Sequence, residues 1–331
     1  MVPRFDCGRL SVYLLMTIAF WAYAGGAVAA GEFSPRGVIH IVVGFPPGGT
    51  ADAVARLYGE QLQARLQTTV VVENRPGAGG RIAAEAVARH APDDKTLLLA
   101  IGHMMSTLPL ASRSVKYDPM QDFSPVSLLG TSAVGLAVHG AVEVHTVAQW
   151  AQWARRELRA QNFGISAHGS PSHLIGHVIA QRERLPLNAV PYRGGAPLVG
   201  DLLSGEILVG IDALGSFIEH HHHGRLRVIA VSGTSRVPQL PTVQTFSEQG
   251  YHHLDRSTWL GLFAPRGSSA AFVQRVVEAV AEAARNPRLA RDLARLGVTA
   301  HSSTPDELRG MVLSDLQVWA PVVRSLGFHE D

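Results

Sequence analysis

The chain repeats one unit, a buried strand followed by a glycine-rich loop and a helix, and this repetition constrains the fold most. The first strand is an apolar, mostly β-branched run at residues 38–43, typical of burial on both faces. Prolines and glycines break the run at residues 44–49, and apolar residues recur at helical spacing from Thr50. Residues 69–87 repeat the pattern, and residues 96–101 predict a third strand. This alternation predicts an α/β fold that binds ligands at the carboxyl ends of its strands.

The join between the first loop and its helix suits a bound anion. The first amides of a helix lack intrahelical acceptors and carry partial positive charge. Gly48 and Gly49 would let a carboxylate or phosphate approach those amides closely. The loop lacks both the Gly-x-Gly-x-x-Gly spacing and the Gly-Lys-Ser/Thr ending of the nucleotide-binding loops. An ordinary turn without a ligand is the alternative that this stretch alone leaves open.

A second helix start of this kind lies in the other half of the chain. Ser170 is a favourable N-cap residue, and Pro171 suits the first position of a helix. Asp212 follows a further predicted strand at residues 207–211. The sequence therefore predicts two anion-binding loops, one in each half of the chain.

The N-terminal residues 1–29 have the pattern of a cleaved secretory signal peptide. Arg4 and Arg9 precede an apolar run that ends in small residues, although a membrane anchor is the alternative. Cleavage would remove Cys7, the single cysteine, so the mature chain would contain no disulfide or thiol. It would also remove both arginines and Asp6, which changes the formal net charge from +2 to +1. So small a charge argues against a nucleic-acid partner.

Six motifs in order along the chain resemble the receptor family of tripartite tricarboxylate transporters, also called Bug receptors. They are Val-Gly-Phe-Pro-Pro-Gly-Gly-Thr-Ala-Asp (43–52), Val-Glu-Asn-Arg-Pro-Gly-Ala-Gly-Gly (72–80), Asp-Phe-Ser-Pro-Val (122–126), Ser-His-Leu (172–174), Val-Pro-Tyr-Arg-Gly (190–194) and Trp-Leu-Gly-Leu-Phe-Ala-Pro (259–265). The resemblance covers nearly the whole chain after the signal. It implies a two-domain periplasmic-binding-protein (Venus flytrap) fold, in which each domain is a mostly parallel sheet flanked by helices.

The resemblance also implies a domain division. Residues 32–132 and 260–331 would form a discontinuous first domain, and residues 133–259 the second. Two apolar segments, residues 126–139 and 259–264, are the predicted crossings between them. A chain of 331 residues with 46% hydrophobic content can fill two cores.

The function implied by the resemblance is that of a periplasmic solute-binding receptor. It would capture a small carboxylate between its domains for uptake through the permease subunits of a tripartite transporter. Dicarboxylates, tricarboxylates, acidic amino acids and aromatic acids all remain open as ligands. The resemblance implies no catalysis and no cofactor, and a monomer is expected. A sensing role, in which the receptor docks on a membrane sensor kinase, is an alternative that the sequence leaves open.

Matched by position, the first-domain loop runs from Phe45 to Asp52. Phe45 would pack on the body of the ligand. Gly48, Gly49 and Thr50 would offer amides or a hydroxyl. Asp52 would hold the loop by accepting amide hydrogen bonds, because a carboxylate repels a carboxylate ligand.

The second-domain loop is implied at residues 166–173. Its predicted ligand-binding residues are Ser166, His168, Gly169, Ser170 and His173. Asp212 would orient waters or meet a ligand amine. His103 follows the third strand, where the family usually has a small or polar pair, and His168 adds a titratable ring to the second loop. These imidazoles could suit an aromatic or less charged acid.

Two other kinds of site compete for these residues. The run His220–His223 could bind a metal, because imidazole is a ligand for zinc, copper and nickel. Consecutive residues rarely converge on one ion, so we interpret the run as a solvated loop and expect no metal. Ser170, His173 and Asp212 supply the residue types of a serine hydrolase, but no Gly-x-Ser-x-Gly elbow surrounds any serine. Ser170 and His173 are better interpreted as a helix cap and its neighbour.

Overall fold

The structure is a computed structural model that describes residues 37–252 and 254–325. The predicted signal peptide, residues 1–29, lies outside the described residues. The first predicted unit forms as expected, with a strand at Ile39–Val43 and a helix at Thr50–Leu66.

The described residues form eleven strands and ten α-helices. The strands are β1 (Ile39–Val43), β2 (Val70–Asn74), β3 (Thr96–Ile101), β4 (Phe123–Ser132), β5 (Val134–His139), β6 (Asn162–Ile165), β7 (Asn188–Pro191), β8 (Val209–Ala213), β9 (Leu226–Val231), β10 (Thr258–Pro265) and β11 (Val298–Ala300). The helices are α1 (Thr50–Leu66), α2 (Arg81–Ala88), α3 (Thr107–Ala111), α4 (Val147–Ala154), α5 (Pro171–Glu183), α6 (Gly195–Ser204), α7 (Ile218–His222), α8 (Ala270–Ala284), α9 (Pro287–Arg295) and α10 (Pro305–Ser325). Short 3₁₀ turns lie at Ala78–Gly80, Gly102–Met105, Leu158–Gln161 and Leu214–Ser216.

The strands build two separate sheets, which confirms the predicted two-domain α/β fold. The first sheet has the order β11-β4-β10-β3-β1-β2, and the second has the order β7-β6-β8-β5-β9. Pairing is parallel around β1 and around β6, but β10 and β5 are antiparallel to both of their neighbours. The sheets are therefore mixed, which corrects the expectation that each is mostly parallel.

The mixed pairing follows from the way the chain crosses between the sheets. Only Ala133 separates β4 in the first sheet from β5 in the second. The predicted crossing at residues 126–139 is thus the end of one long strand and the start of another. The chain returns between β9 and β10, and β10 then inserts between β4 and β3 in the opposite direction. The predicted domain limits at residues 132 and 260 stay a prediction.

Each sheet carries its own apolar core. In the first domain, Leu98 of β3 and Leu308 of α10 are fully buried in one cluster. The second sheet is covered on both faces, with Trp150 of α4 buried in one cluster and Phe217 in the other. Burial on both faces explains why these strands read as continuous apolar runs. Among the described residues, no helix has both the length and the apolar character needed to cross a membrane.

Candidate functional site

A cavity of about 370 Å³ is lined by residues of both domains. The first domain contributes residues 45–51 after β1, together with Ile101 at the end of β3 and Leu296. The second domain contributes Ser166 after β6 and residues 193–197 after β7, with further residues at the end of β8. The cavity thus lies at the carboxyl ends of the strands, where the sequence predicts ligand binding. Its volume falls at the small end of the range for ligand pockets.

The twelve predicted site residues divide into two groups. Six of them line the cavity: Phe45, Gly48, Gly49, Thr50, Ser166 and Asp212. The other six are placed elsewhere: Asp52, His103, His168, Gly169, Ser170 and His173.

Asp52 stabilises the first-domain loop without lining the cavity. Its Oδ2 accepts a hydrogen bond from the Gly48 amide at 3.0 Å, and its Oδ1 accepts one from Asn74 Nδ2 at 2.9 Å. Arg56 donates to both oxygens. Burial works against ionisation of this carboxyl, but the hydrogen bonds from Arg56, Gly48 and Asn74 outweigh it and lower the pKa of Asp52. The carboxylate is thereby ionised and turned toward the loop backbone.

The loop presents free amides at the start of α1. No described residue accepts a hydrogen bond from the amides of Gly49, Thr50 or Ala51, all of which line the cavity. Gly48 has φ +84°, a conformation that favours glycine, and a Cβ there would meet nothing within 4 Å. Three unpaired amides at the positive end of a 17-residue helix form a site for an anion.

Asp212 organises the second-domain wall. It lies within β8 instead of after it, and its oxygens accept hydrogen bonds from Ser166 Oγ at 2.5 Å and Ser216 Oγ at 3.2 Å. Burial raises the pKa of Asp212, and these hydrogen bonds oppose that rise. A Cβ on Gly195 would lie 2.4 Å from Asp212 Oδ2, so only glycine fits against the carboxyl. The hydroxyl protons of Ser166 and Ser216 are therefore both engaged in hydrogen bonds to Asp212.

Arg193 brings a cation to the cavity. The side chain is exposed, lines the cavity and forms no hydrogen bond or ion pair within residues 37–252 and 254–325. Arg193 is not among the site residues predicted from the sequence, and neither are the neighbouring cavity-lining residues Gly194 and Gly195. The signal was present, since β7, two glycines and α6 repeat the strand, glycine loop and helix pattern.

The predicted second-domain loop turns away from the cavity after Ser166. The His168 and His173 rings contact each other with centroids 4.4 Å apart, and the Gly169 amide donates to His173 Nδ1. Leu174 is fully buried against Ala111 and Trp319 of the first domain. The start of α5 therefore packs at the contact between domains, which leaves the 193–197 loop to face the cavity.

Ser170, His173 and Asp212 do not form a hydrogen-bonded triad. Ser170 Oγ accepts from the backbone amide of His173 at 3.4 Å, as the predicted N-cap does. The carboxyl of Asp212 is paired with Ser166 and Ser216 instead of an imidazole.

His103 supports the first domain from within its interior. The ring is buried, and Nε2 lies 2.9 Å from the Gly79 carbonyl oxygen, to which it donates. It also meets Phe45 edge to face, with centroids 6.0 Å apart. Burial lowers the pKa of His103 to about 4, although the bond to Gly79 acts in the opposite direction. His103 is thus neutral, and it positions Phe45 without lining the cavity.

Comparison with known proteins identifies the family. The profile of the tripartite tricarboxylate transporter family receptor matches residues 54–328. The chain belongs to this family. The protein BugT of Bordetella pertussis is 32% identical over 321 residues, covering 95% of this chain and 97% of BugT. Members of the receptor family are periplasmic solute-binding proteins that work with tripartite transporter permeases, and they are not enzymes.

Two solved structures of Rhodopseudomonas palustris proteins share the fold of this receptor. MatC, solved with bound malate, has 27% identity and a TM-score of 0.82, covering 87% of this chain and 99% of MatC. A second protein, solved with adipate, has 29% identity and a TM-score of 0.85, covering 89% of this chain and 99% of that one. The resemblance stated from the sequence is therefore confirmed.

Proposed function

We propose that this receptor captures a small carboxylate in the cavity between its domains and delivers it to the permease subunits of a tripartite transporter. The observation that carries the proposal is that donors from both domains line one cavity: the free amides of Gly49–Ala51 from the first domain and Arg193 from the second. Both suit a carboxylate, since charge-assisted hydrogen bonds are strong and Arg matches carboxylate geometry. Malate and adipate in two related structures support this ligand class.

Binding proceeds by closure of the domains over the ligand. The carboxylate first meets the amides of Gly49 and Thr50, while Phe45 packs on the carbon chain. Closure then brings Arg193 and the Gly195 end of α6 against the other side and excludes water. A ligand that contacts both walls stabilises the closed form over the open one, so binding shifts the equilibrium between them.

The predicted site residues outside the cavity would act through the residues that line it. Asp52 would keep the Gly48 amide and its neighbours aligned, and His103 would hold Phe45 in place. His168, Gly169, Ser170 and His173 would shape the contact between the domains on closure. These are proposed positioning roles, and they involve no direct contact with the ligand.

Substitution of Arg193 tests the proposal. We expect Arg193→Gln to raise the Kd for adipate or malate about tenfold or more by calorimetry, because a charge-assisted hydrogen bond is lost. Arg193→Lys should retain part of the affinity. Arg156→Gln is the matched control, since Arg156 is also exposed in the second domain and does not line the cavity. If Arg193→Gln binds both acids as tightly as the Arg156 variant does, the guanidinium does not hold the carboxylate.

We further propose that the receptor is exported to the periplasm. The basic, apolar and small-residue order of residues 1–29 supports export, as does the location of the family. Periplasmic extracts should contain a chain that begins after the small-residue segment, as read by N-terminal sequencing. A full-length chain in the cytosol would contradict this. Docking on a sensor kinase stays a prediction from the sequence.

A further inference from the structure

The four histidine side chains at residues 220–223 have four different environments. His221 Nδ1 accepts the Val228 amide at 3.0 Å, and His223 Nδ1 donates to the Glu219 carbonyl oxygen at 2.7 Å. His222 is exposed. His220 alone among them lines the cavity between the domains. The segment is the short helix α7 and its end, which corrects the expectation of a solvated loop.

The two ring nitrogens of His220 have different surroundings. Nδ1 is buried and has no hydrogen-bond partner among the described residues. A buried N–H without a partner is rarer than an acceptor without one, so the neutral ring carries its proton on Nε2. Burial lowers the pKa of His220; Arg225 adds to that effect, Glu219 opposes it, and His223 lowers the pKa further. The ring is therefore neutral near pH 7 and has a single N–H to donate.

The hydroxyl groups near His220 are already engaged. The hydroxyls of Ser166 and Ser216 both donate to Asp212, and the amide of Gly194 donates to the Ser166 carbonyl oxygen. The amides of Gly195 and Ala196 at the start of α6 also line the cavity and have no acceptor among the described residues. The imidazole N–H of His220 is the side-chain donor that a ligand oxygen meets beyond these amides. The first carboxylate of the ligand is already accounted for by the α1 amides and Arg193.

We propose that His220 forms a distal subsite in which its Nε2–H donates a hydrogen bond to the second carboxylate of a dicarboxylate. The inference rests on the proposed function and adds the ligand class: a linear dicarboxylate in preference to the monocarboxylate of the same length. An imidazole N–H suits this place, because it donates a hydrogen bond to a carboxylate oxygen without adding a second fixed charge beside Arg193. His220 thereby determines which acids are retained when the domains close.

Matched pairs of acids test the subsite. Calorimetry compares adipate with hexanoate and succinate with butyrate, on the wild type and on His220→Ala. We expect the wild type to prefer the dicarboxylate in at least one pair. In that pair, His220→Ala should raise the Kd of the dicarboxylate about tenfold and change that of the monocarboxylate less than twofold. His220→Gln, which keeps an N–H in a similar place, should recover part of the preference.

His222→Ala is the control, since its exposed ring lies on the same short helix and does not line the cavity. Thermal midpoints of all variants without ligand show whether each one folds. If the wild type binds the acids and His220→Ala keeps the full preference for the dicarboxylate, the proposed subsite at His220 is wrong. The proposal that the receptor binds a carboxylate would then still hold. A wild type that prefers the monocarboxylates also overturns the subsite. If the wild type binds none of the four acids, both proposals fail for these ligands.

Discussion

At the scale of single residues, Asp52 shows how one buried carboxylate can hold a binding loop. It contacts the loop amide, α1 and the end of β2 through Gly48, Arg56 and Asn74. The family resemblance predicts this role by position, because a carboxylate in the loop would repel a carboxylate ligand. The repeated strand, glycine loop and helix pattern marks the Arg193 segment as a candidate. Whether Arg193 and His220 reach the cavity depends on how distant segments of the chain meet.

Removal of the Asp52 carboxylate should loosen the first loop. We expect Asp52→Ala to lower the free energy of unfolding by about 1–3 kcal/mol, because the Gly48 amide and Asn74 lose a charged acceptor. The Kd for adipate or malate should rise at least fivefold. Asp306→Ala is the control, since Asp306 is an exposed acid in the first turn of α10. Urea unfolding and calorimetry provide both numbers, and an unchanged Kd would show that the loop needs no such support.

His103 should make the protein less stable in acid. The unfolded ring binds a proton below about pH 6.5, but the folded ring stays neutral down to about pH 4. The unfolded state thus binds more protons between these values, so stability falls as pH drops through that window. His103→Gln keeps a donor for the Gly79 carbonyl oxygen and removes the titration. Between pH 7.5 and pH 5, the free energy of unfolding measured in urea should fall by about 2 kcal/mol more for the wild type than for the variant. Equal decreases would contradict a neutral, buried ring.

At the scale of elements, the sequence predicts the strands and helices well. The third strand agrees residue for residue with its prediction at 96–101, and α1 begins at the predicted Thr50. These boundaries are set locally, by apolar runs, glycine and proline breaks, and caps such as Thr146 and Ser170. Strand direction in β5 and β10 is not local, because it follows from the crossing between domains.

Which loop of the second domain lines the cavity also depends on packing between elements. Two glycine-containing loops of the second domain precede helices, and both patterns are visible in the sequence. Packing of Leu174 against α3 and α10 turns one of them toward the contact between domains. The other, at residues 193–197, is left to face α1. No pattern within either loop distinguishes these outcomes.

Gly215 marks a place where the two domains come very close. A Cβ on this residue would lie 1.9 Å from the Leu296 carbonyl oxygen of the first domain. We expect Gly215→Ala to oppose closure and to raise the Kd for adipate or malate at least tenfold, while the thermal midpoint without ligand changes little. Gly200→Ala is the control, because a Cβ at this second-domain position meets nothing within 4 Å. Equal affinities for the two variants would show that this contact is not part of the bound form.

At the scale of the whole molecule, the receptor is two sheets whose strand ends meet around one cavity. The first domain supplies helix amides and Phe45, and the second supplies Arg193, the Asp212 cluster and His220. Neither wall alone surrounds the cavity, so we expect ligand binding and domain closure to be coupled. The family and the two-domain fold followed from motifs spread along the chain, whereas the composition of the cavity required the packed structure.

The central claim is that this cavity binds a carboxylate, and one titration tests it most directly. Residues 30–331 are denatured and refolded to remove any ligand carried from expression, and then titrated with malate, adipate, succinate, hexanoate, benzoate and the neutral 1,6-hexanediol. We predict that at least one acid binds, with a thermal midpoint raised on the order of 5 °C at 100-fold excess over Kd, and that the diol does not bind. A refolded protein that binds none of the acids, or that binds the diol as tightly as adipate, would contradict the account.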